Sequence, residues 1–173
     1  MTGYDDFQSG ADEVLEQVHA ARAEIESIID ELSKEQMTQA TDDGGWSIKD
    51  HLAHIAEWQR RGLGVIEGRA AWESLGIDRE TYRQLDIDGV NQIIYERNKD
   101  RPLAEVLTDF RKMQERVILT LEQMNEDDLD RSIPTDMEEV TYRRIGDIVL
   151  GNFSGHDSDH VEDIRLLANQ PVD

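Results

Sequence analysis

The sequence contains no cysteine among its 173 residues. Without thiols the chain can form neither a disulfide bond nor a thiolate nucleophile, and it cannot bind a metal ion through sulfur. Any metal site in this protein must therefore use nitrogen and oxygen ligands. Histidine is scarce as well, with five residues in the chain, so the position of each one is informative.

Positive charge is also scarce. The chain has 18 Lys and Arg residues against 39 Asp and Glu residues, which gives a formal net charge of -21 at pH 7. A surface of this kind repels the phosphate backbone of nucleic acids and the anionic headgroups of lipids. We therefore expect no nucleic-acid partner and no membrane partner.

Long hydrophobic runs are absent too. No stretch approaches the roughly 20 apolar residues of a membrane-spanning helix, and the N-terminal stretch MTGYDDFQSGADEV lacks the basic and apolar regions of a signal peptide. These absences predict a soluble, cytoplasmic protein. A length of 173 residues fits one domain, so we expect a single domain over 1–173, in which residues 1–8 are flexible.

The apolar residues that are present recur every three or four positions, which is the pattern of amphipathic helices. Four segments show this pattern over several turns. We predict long helices from Ala11 to Leu32, from Ile48 to Ile66, from Leu103 to Met124, and from Arg143 or Arg144 to Ala168.

The segment between the second and third long helices is too long for a simple turn. A further apolar stripe in DIDGVNQIIYERNKDRP predicts an additional helix that ends near Asp100, because Pro102 restricts the residue before it. The alternating pattern of a half-buried strand appears nowhere in the chain. We therefore predict an all-α fold, a four-helix bundle with a long helical crossover between helices two and three.

Two of the five histidines, His156 and His160, lie four residues apart in the stretch GNFSGHDSDHVEDI. At about 100° per residue their side chains fall about 40° apart, inside the apolar arc of the last predicted helix. Two neutral imidazoles side by side can bind one cation. The spacing thus indicates two metal ligands that point into the bundle.

A third ligand would have to come from another helix. The second predicted helix offers His51 and His54 in the segment HLAH, and periodicity mildly favours His51 as the more inward of the two. Periodicity does not decide between them, because a metal site often lies at the rim of a bundle, where substrate can enter. Trp58 is a further candidate for the wall of such a pocket.

A bland interpretation is also open, in which each inward histidine is a core residue whose nitrogens find backbone or carboxylate partners. HDSDH does not match the zinc-protease motif, which needs Glu directly after the first histidine, whereas Asp157 follows it here. Asp163, three residues beyond His160, is a candidate to orient the histidine rings, and an exposed, solvated role fits it equally well.

Three segments together resemble a known family. GGWSIKDHLAHIAEW, NQIIYERNKDRPLAEVL and GNFSGHDSDHVEDI occur in this order over nearly the whole chain, and they look like the DinB/YfiT-like superfamily, more narrowly its ClbS/DfsB branch of four-helix-bundle proteins. The resemblance implies a three-histidine metal site made of His54, eight residues after Trp46, together with His156 and His160. On this assignment, replacing His19 or His51 should leave metal affinity nearly unchanged.

The resemblance also implies a function. Members of the superfamily include hydrolases and thiol-dependent transferases that use a divalent metal, here Ni²⁺ or Zn²⁺, so we expect a metal-dependent enzyme that acts on a small electrophilic molecule, with a low-molecular-weight thiol as a second partner. The ClbS/DfsB branch suggests an alternative, a metal-free resistance protein that hydrolyses or sequesters a reactive toxin. A third possibility is a helical binding module without chemistry, which forms a homodimer through an exposed helix face.

Overall fold

The computed structural model of the protein describes residues 5–137 and 140–171, with the backbone alone for 5–11, 135–137 and 140–142. Most of this chain is helical, which confirms the predicted all-α class. The helices are α1 (Asp5–Asp30), α2 (Lys34–Gln39), α3 (Ile48–Ile66), α4 (Ala71–Ser74), α5 (Arg79–Gln84), α6 (Ile87–Asn98), α7 (Leu103–Glu122), α8 (Glu126–Asp130), α9 (Ile145–Val149) and α10 (His156–Ala168).

Four long helical units form the bundle: α1, α3, α7 and the C-terminal helix. Helix α3 packs against α7 and α10, and α1 packs against both of these as well. Helix α3 is buried on almost every face, and its bounds are those predicted from the sequence. Residues 1–4 lie outside the described residues and α1 begins at Asp5, so the expected flexibility of 1–8 stays a prediction.

The C-terminal helix is continuous from Ile145 to Ala168 but changes its winding in the middle. Between α9 and α10 lies a π-helical segment, Leu150–Gly155, in which each turn is wider than in an α-helix. Segments of this kind are frequent at functional sites, and this one ends directly before His156. The predicted helix is confirmed in extent, and the π segment was not predicted.

The crossover between α3 and α7 contains the predicted additional helix, α6, and two shorter helices, α4 and α5. Helix α6 packs against α3. A small apolar cluster joins the crossover to α3, and it consists of Trp58, Leu75, Ile77, Val90 and Ile94.

The expectation that the chain contains no strand is wrong for the segment after α8. Strands β1 (Ser132–Met137) and β2 (Val140–Arg144) form an antiparallel hairpin in which Ser132 pairs with Arg144 and Ile133 pairs with Arg143. Each strand has five or six residues, and the register shifts between Pro134 and Met137. Strands this short and irregular do not show a clear alternation in the sequence, because most of their stability comes from pairing with each other.

The core of the bundle is divided by a layer of polar side chains. One apolar cluster includes Leu52, Phe110 and Ile164, and a second, towards the other end, includes Leu63, Val117, Ile145 and Phe153. Gln59 of α3, Gln114 of α7 and Asp157 of α10 lie between the two clusters and are completely buried. Buried polar groups are costly unless they are paired, so this layer points to a role beyond packing.

The described helices include none that is long and apolar enough to cross a membrane.

Candidate metal centre

A capping box defines the start of α3 and so the positions of its histidines. The side chain of Ser47 accepts a hydrogen bond from the backbone N–H of Asp50, and Asp50 Oδ2 accepts one from the backbone N–H of Ser47 at 3.0 Å. The helix therefore begins at Ile48. His51 lies in the first turn and His54 in the second, and both side chains are buried.

The turn before α3 holds an aspartate beside His51. The backbone N–H of Trp46 donates to Asp42 Oδ1 at 2.9 Å, and the Asp42 N–H donates to the Trp46 carbonyl at 3.0 Å. Gly45 closes the turn at a φ of 83°, a conformation that favours glycine. This loop places Asp42 Oδ2 at 3.0 Å from His51 Nε2.

Four of the five histidines of the chain meet between α3 and α10, and we call His51, His54, His156 and His160 the histidine cluster. The Nε2 atoms of His54 and His156 are 3.0 Å apart, and the Nδ1 atoms of His51 and His160 are also 3.0 Å apart. The ring of His160 lies 4.6 Å from that of His156 and 4.8 Å from that of His54, measured between centroids. The structure therefore joins both predicted histidine pairs in one cluster.

Two sets of side chains within this part of the chain could hold a metal ion. His54, His156 and His160 each offer one ligand atom within 4.8 Å of the others, and His51, His160 and Asp163 do the same. Two nitrogens bound to one ion at about 2.0–2.1 Å lie roughly 3 Å apart, which matches the separation of His54 and His156. The separation of the His54 and His156 nitrogens thus fits two ligands of one divalent cation, and His160 offers a third nitrogen within 4.8 Å of them.

The electrostatics of the cluster favour neutral imidazoles. Burial, followed by the charges that His160, His156 and His51 would carry, lowers the pKa of His54 from 6.5 to about 2. Burial, followed by His156 and His51, lowers the pKa of His160 to about 3. Both residues are therefore unprotonated at neutral pH, which is the form that binds a metal ion.

Asp42, His51 and His160 form a hydrogen-bonded chain that fixes the position of a proton. In the arrangement with a carboxylate at Asp42 and one proton on His51, Nε2 of His51 donates to Asp42 and Nδ1 of His51 accepts. His160 Nδ1 must then be the donor in the contact with His51, which leaves the lone pair of His160 on Nε2. The chain orients His160 and selects the tautomer with a free Nε2.

A second carboxylate lies beneath His156. Asp157 is completely buried, and its Oδ2 accepts hydrogen bonds from the side-chain amides of Gln59 at 2.6 Å and Gln114 at 3.3 Å. Its Oδ1 lies 3.8 Å from His156 Nδ1, and neither atom has a hydrogen-bond partner among the described residues. Burial raises the pKa of Asp157, although His156 and the two glutamines act in the opposite direction.

Asp163, the residue expected to orient the rings, lies at the open side of the cluster. Its Oδ2 is 3.5 Å from His160 Nδ1 and 4.0 Å from His51 Nδ1, and 47% of its side chain is exposed. It therefore contacts the histidines from solvent, whereas Asp157 contacts them from the core.

Aromatic rings enclose the cluster from the side of α3. The ring of Trp46 lies 4.9 Å from that of His54 and stacks on Tyr95 at 5.8 Å. Trp58, predicted as a wall of the pocket, lies 5.9 Å from the ring of His156 and 6.1 Å from that of His54. The tryptophans line the cluster, while His156 and His160 remain partly exposed.

Several residues of the site were not singled out from the sequence: Asp42, Gln59, Gln114 and the buried position of Asp157. Gln59 and Gln114 did carry a signal, because each replaces an apolar residue on the buried stripe of its helix. Asp42 carried no such signal, because its contact with His51 depends on the conformation of the turn before α3. His19, the fifth histidine, is exposed on α1, away from the cluster.

Fold and cluster together define a helical bundle with a histidine site that could hold a divalent cation. The chain belongs to the DinB superfamily, whose sequence model matches residues 17–164. This match covers the four histidines and confirms the resemblance at the level of the superfamily. A search of curated proteins finds no match.

Proposed function

We propose that this protein is a metal-dependent enzyme that binds one divalent cation through His54, His156 and His160. In this proposal it acts on a small electrophilic molecule, either as a hydrolase or as a transferase that uses a low-molecular-weight thiol. Membership of the DinB superfamily and the geometry of the histidine cluster support the proposal.

The observation that carries the proposal is the close approach of imidazole nitrogens from α3 and α10. The 3.0 Å contact between the Nε2 atoms of His54 and His156 can be satisfied either by one shared proton or by one cation that both atoms bind. His160, which the Asp42–His51 chain orients, adds a third lone pair nearby. A cation satisfies all three nitrogens, whereas a shared proton satisfies two.

The chemistry of the donors suggests which ion is bound. Imidazole nitrogens suit both Zn²⁺ and Ni²⁺, the ions expected from the resemblance, and the chain has no thiolate that would favour softer metals. An ion held by three protein ligands would keep coordination positions open for water or a thiol, and it would lower the pKa of the bound water or thiol.

The chain's own residues prepare the site in three ways. Trp46 and Trp58 line the cluster, and the partial exposure of His156 leaves access for a small molecule. Asp42 and Asp163 line an acidic pocket beside the histidines. Their negative charge favours the approach of a cation.

Calorimetric titration with Zn²⁺ and Ni²⁺ tests the proposal, with protein purified without a histidine tag. Wild type should bind one ion per chain. His54→Ala should bind at least about 100-fold more weakly, because loss of a metal ligand should lower affinity more than loss of an outer partner, a residue that only hydrogen-bonds to a ligand. His19→Ala is the matched control and should bind as wild type does. Equal affinity of wild type and His54→Ala would remove His54 from the site.

Absence of metal binding to wild type would instead favour a metal-free protein. The second candidate, suggested by the resemblance to the ClbS/DfsB branch, is then a resistance protein that hydrolyses or sequesters a reactive toxin. The third candidate is a binding module without catalytic activity. Screening electrophiles with metal-loaded and metal-stripped protein, each with and without a thiol, separates these functions. Turnover that needs metal supports the proposal, whereas turnover by stripped protein supports the resistance protein.

A further inference from the structure

A pocket of about 230 Å³ lies beyond the histidine cluster, between α3, the crossover, the hairpin and the C-terminal helix. Its polar lining includes three arginines and an asparagine, and its walls are mostly apolar. We call it the arginine pocket, and it is lined by Arg61, Val65, Gly68, Arg69, Ala70, Ala71, Tyr82, Ile133, Pro134, Arg143, Ile148 and Asn152.

We propose that the arginine pocket binds the anionic group of a small organic molecule, and that this molecule is the substrate or thiol of the adjacent histidine site. The second half of this proposal rests on the proposed function. The first half, the binding of an anion, stands on the contacts and charges of the pocket alone.

The charge of the pocket is opposite to that of the protein. The chain carries 39 acidic residues and a formal charge of -21, yet no Asp or Glu is among the residues that line this pocket within the part of the chain whose side chains are described. Arg61 and Arg143 form no ion pair with a carboxylate of the described residues. Arg69 pairs with Glu67 at 2.6 Å, and Glu67 also pairs with Arg116, so one carboxylate is shared between two guanidinium groups.

Arg61 is held in place without a full set of acceptors. One of its terminal nitrogens donates to Asn152 Oδ1 at 3.1 Å, and its guanidinium lies 5.1 Å from the centre of the Trp58 ring. Its Nε is buried and has no hydrogen-bond partner among the described residues. A guanidinium that is positioned but incompletely paired is suited to bind a carboxylate or a phosphate through parallel hydrogen bonds.

The walls of the pocket limit the kind of anion that fits. Val65, Ala71 and Ile133 are buried apolar residues, and Ile148 lies beside them. An inorganic ion alone would leave these walls in contact with water. The pocket therefore suits an anion that carries an apolar body, such as an aliphatic or aromatic carboxylate.

The position of the pocket connects it to the histidine cluster. Arg61 follows His54 by seven residues on α3, which is about 10 Å along the helix axis, and Asn152 precedes His156 by four residues. Trp58 lies between the two regions, since its ring contacts both Arg61 and His156. A molecule that extends along Trp58 can place its reacting group at the histidines and its anionic group among the arginines.

Benzoate and benzamide, titrated by calorimetry into metal-free protein at fixed ionic strength, test the anion site. Benzoate should bind, and neutral benzamide of the same shape should bind at least about tenfold more weakly, because it lacks the charge that the guanidinium groups pair with. Inorganic phosphate is the second probe. Competition by phosphate at a lower concentration than benzoate assigns the anionic group to the phosphate class, and weaker competition assigns it to the carboxylate class.

The variants Arg61→Gln and Arg143→Gln should each weaken benzoate binding at least about fivefold. Arg143 lies on the hairpin, outside the bundle core, so its variant keeps the test valid if Arg61→Gln does not fold. Arg22→Gln, on α1, removes the same charge away from the pocket and should change nothing. Equal binding of benzoate and benzamide, or unchanged binding in both pocket variants, would overturn the proposal.

A molecule with a thiol at one end and a carboxylate at the other tests the link to the histidine site. Nickel-loaded protein should bind mercaptooctanoate more tightly than mercaptoacetate, because only the longer chain reaches from a thiol at the histidines to a carboxylate at the arginines. Arg143→Gln should remove this advantage. If the protein binds benzoate but no metal ion, the anion site is supported and the proposed function is contradicted. Equal binding of both thiols to nickel-loaded protein would instead contradict the link between the two sites.

Discussion

The histidine cluster and the arginine pocket lie on the same two helices and are suited to ligands of opposite charge. Each combines a residue of α3 with one of the C-terminal helix: His54 with His156 in the first, and Arg61 with Asn152 in the second. A buried imidazole among other imidazoles loses its proton and offers a lone pair. A guanidinium keeps its charge and offers N–H donors, so the residue type decides which ligand each region takes.

The net charge of the protein has opposite effects on ligand binding at the two regions. A formal charge of -21 attracts a cation to the histidines and repels an anion from the arginines. The arginine pocket must therefore create a local positive potential against the field of the molecule. We expect tight binding of a metal ion and weak binding of an anion, and the variants below test whether the two regions are separable.

The largest expected effect is a separation of the two ligands by one substitution. His156→Ala should lower Zn²⁺ affinity more than about 100-fold. The substitution removes a metal ligand, and this should lower affinity more than removal of a residue that only orients a ligand. The same variant should keep benzoate affinity within about twofold, since His156 does not line the arginine pocket. Calorimetry with each ligand measures both effects. Loss of both affinities would show that the two regions are not independent.

Asp157→Asn should weaken Zn²⁺ binding by between about 10- and 100-fold without lowering the stability of the metal-free protein. The substitution removes the carboxylate that faces His156, an outer partner of the site. The new amide can donate to the unpaired oxygen of Gln59 or Gln114, so the free energy of unfolding should be unchanged or higher.

Asp159→Asn is the control for Asp157→Asn, because Asp159 is exposed on the same helix and the charge change is identical. Calorimetry and urea unfolding measure affinity and stability. A large loss of stability in Asp157→Asn with unchanged affinity would make Asp157 a structural residue only.

His51→Ala should weaken Zn²⁺ binding by about tenfold, an effect expected for an outer partner of a ligand. The substitution removes the acceptor that holds the Nδ1 proton of His160, so His160 is no longer fixed in one orientation and tautomer. From the sequence alone we expected nearly no change for this variant. Calorimetry of His51→Ala beside His19→Ala decides between the two expectations, and equal affinities would support the earlier one.

Periodicity and spacing predicted the parts of the molecule that depend on local sequence. The bounds of α3 agree with the prediction because Ser47 and Asp50 form a cap that the sequence displays. The i, i+4 spacing of His156 and His160 placed both rings on one face of a helix, and the helical geometry confirms it. Local patterns suffice where the structure is determined within one or two turns of helix.

Contacts between distant segments could not be predicted in this way. The burial of Asp157 depends on Gln59 and Gln114, and the role of His51 depends on the turn at Asp42. An aspartate in a helix is usually exposed, so nothing in the local sequence indicated that Asp157 is buried. The hairpin depends on the pairing of its two strands with each other, and no strand period in the sequence displays it.

The smallest expected effect concerns the pH dependence of the metal-free protein. An unfolded histidine has a pKa of about 6.5, whereas the folded pKa of His160 is about 3. Between these values the unfolded state binds a proton that the folded state does not, so the free energy of unfolding falls as pH decreases below about 6.5. His160 contributes at most about 1.4 kcal/mol per pH unit to this slope. Urea unfolding at several values in this window should show a shallower slope for His160→Gln and the wild-type slope for His19→Gln. Equal slopes for wild type and His160→Gln would contradict a neutral, buried His160, and with it the lone pair that the cluster offers to a cation.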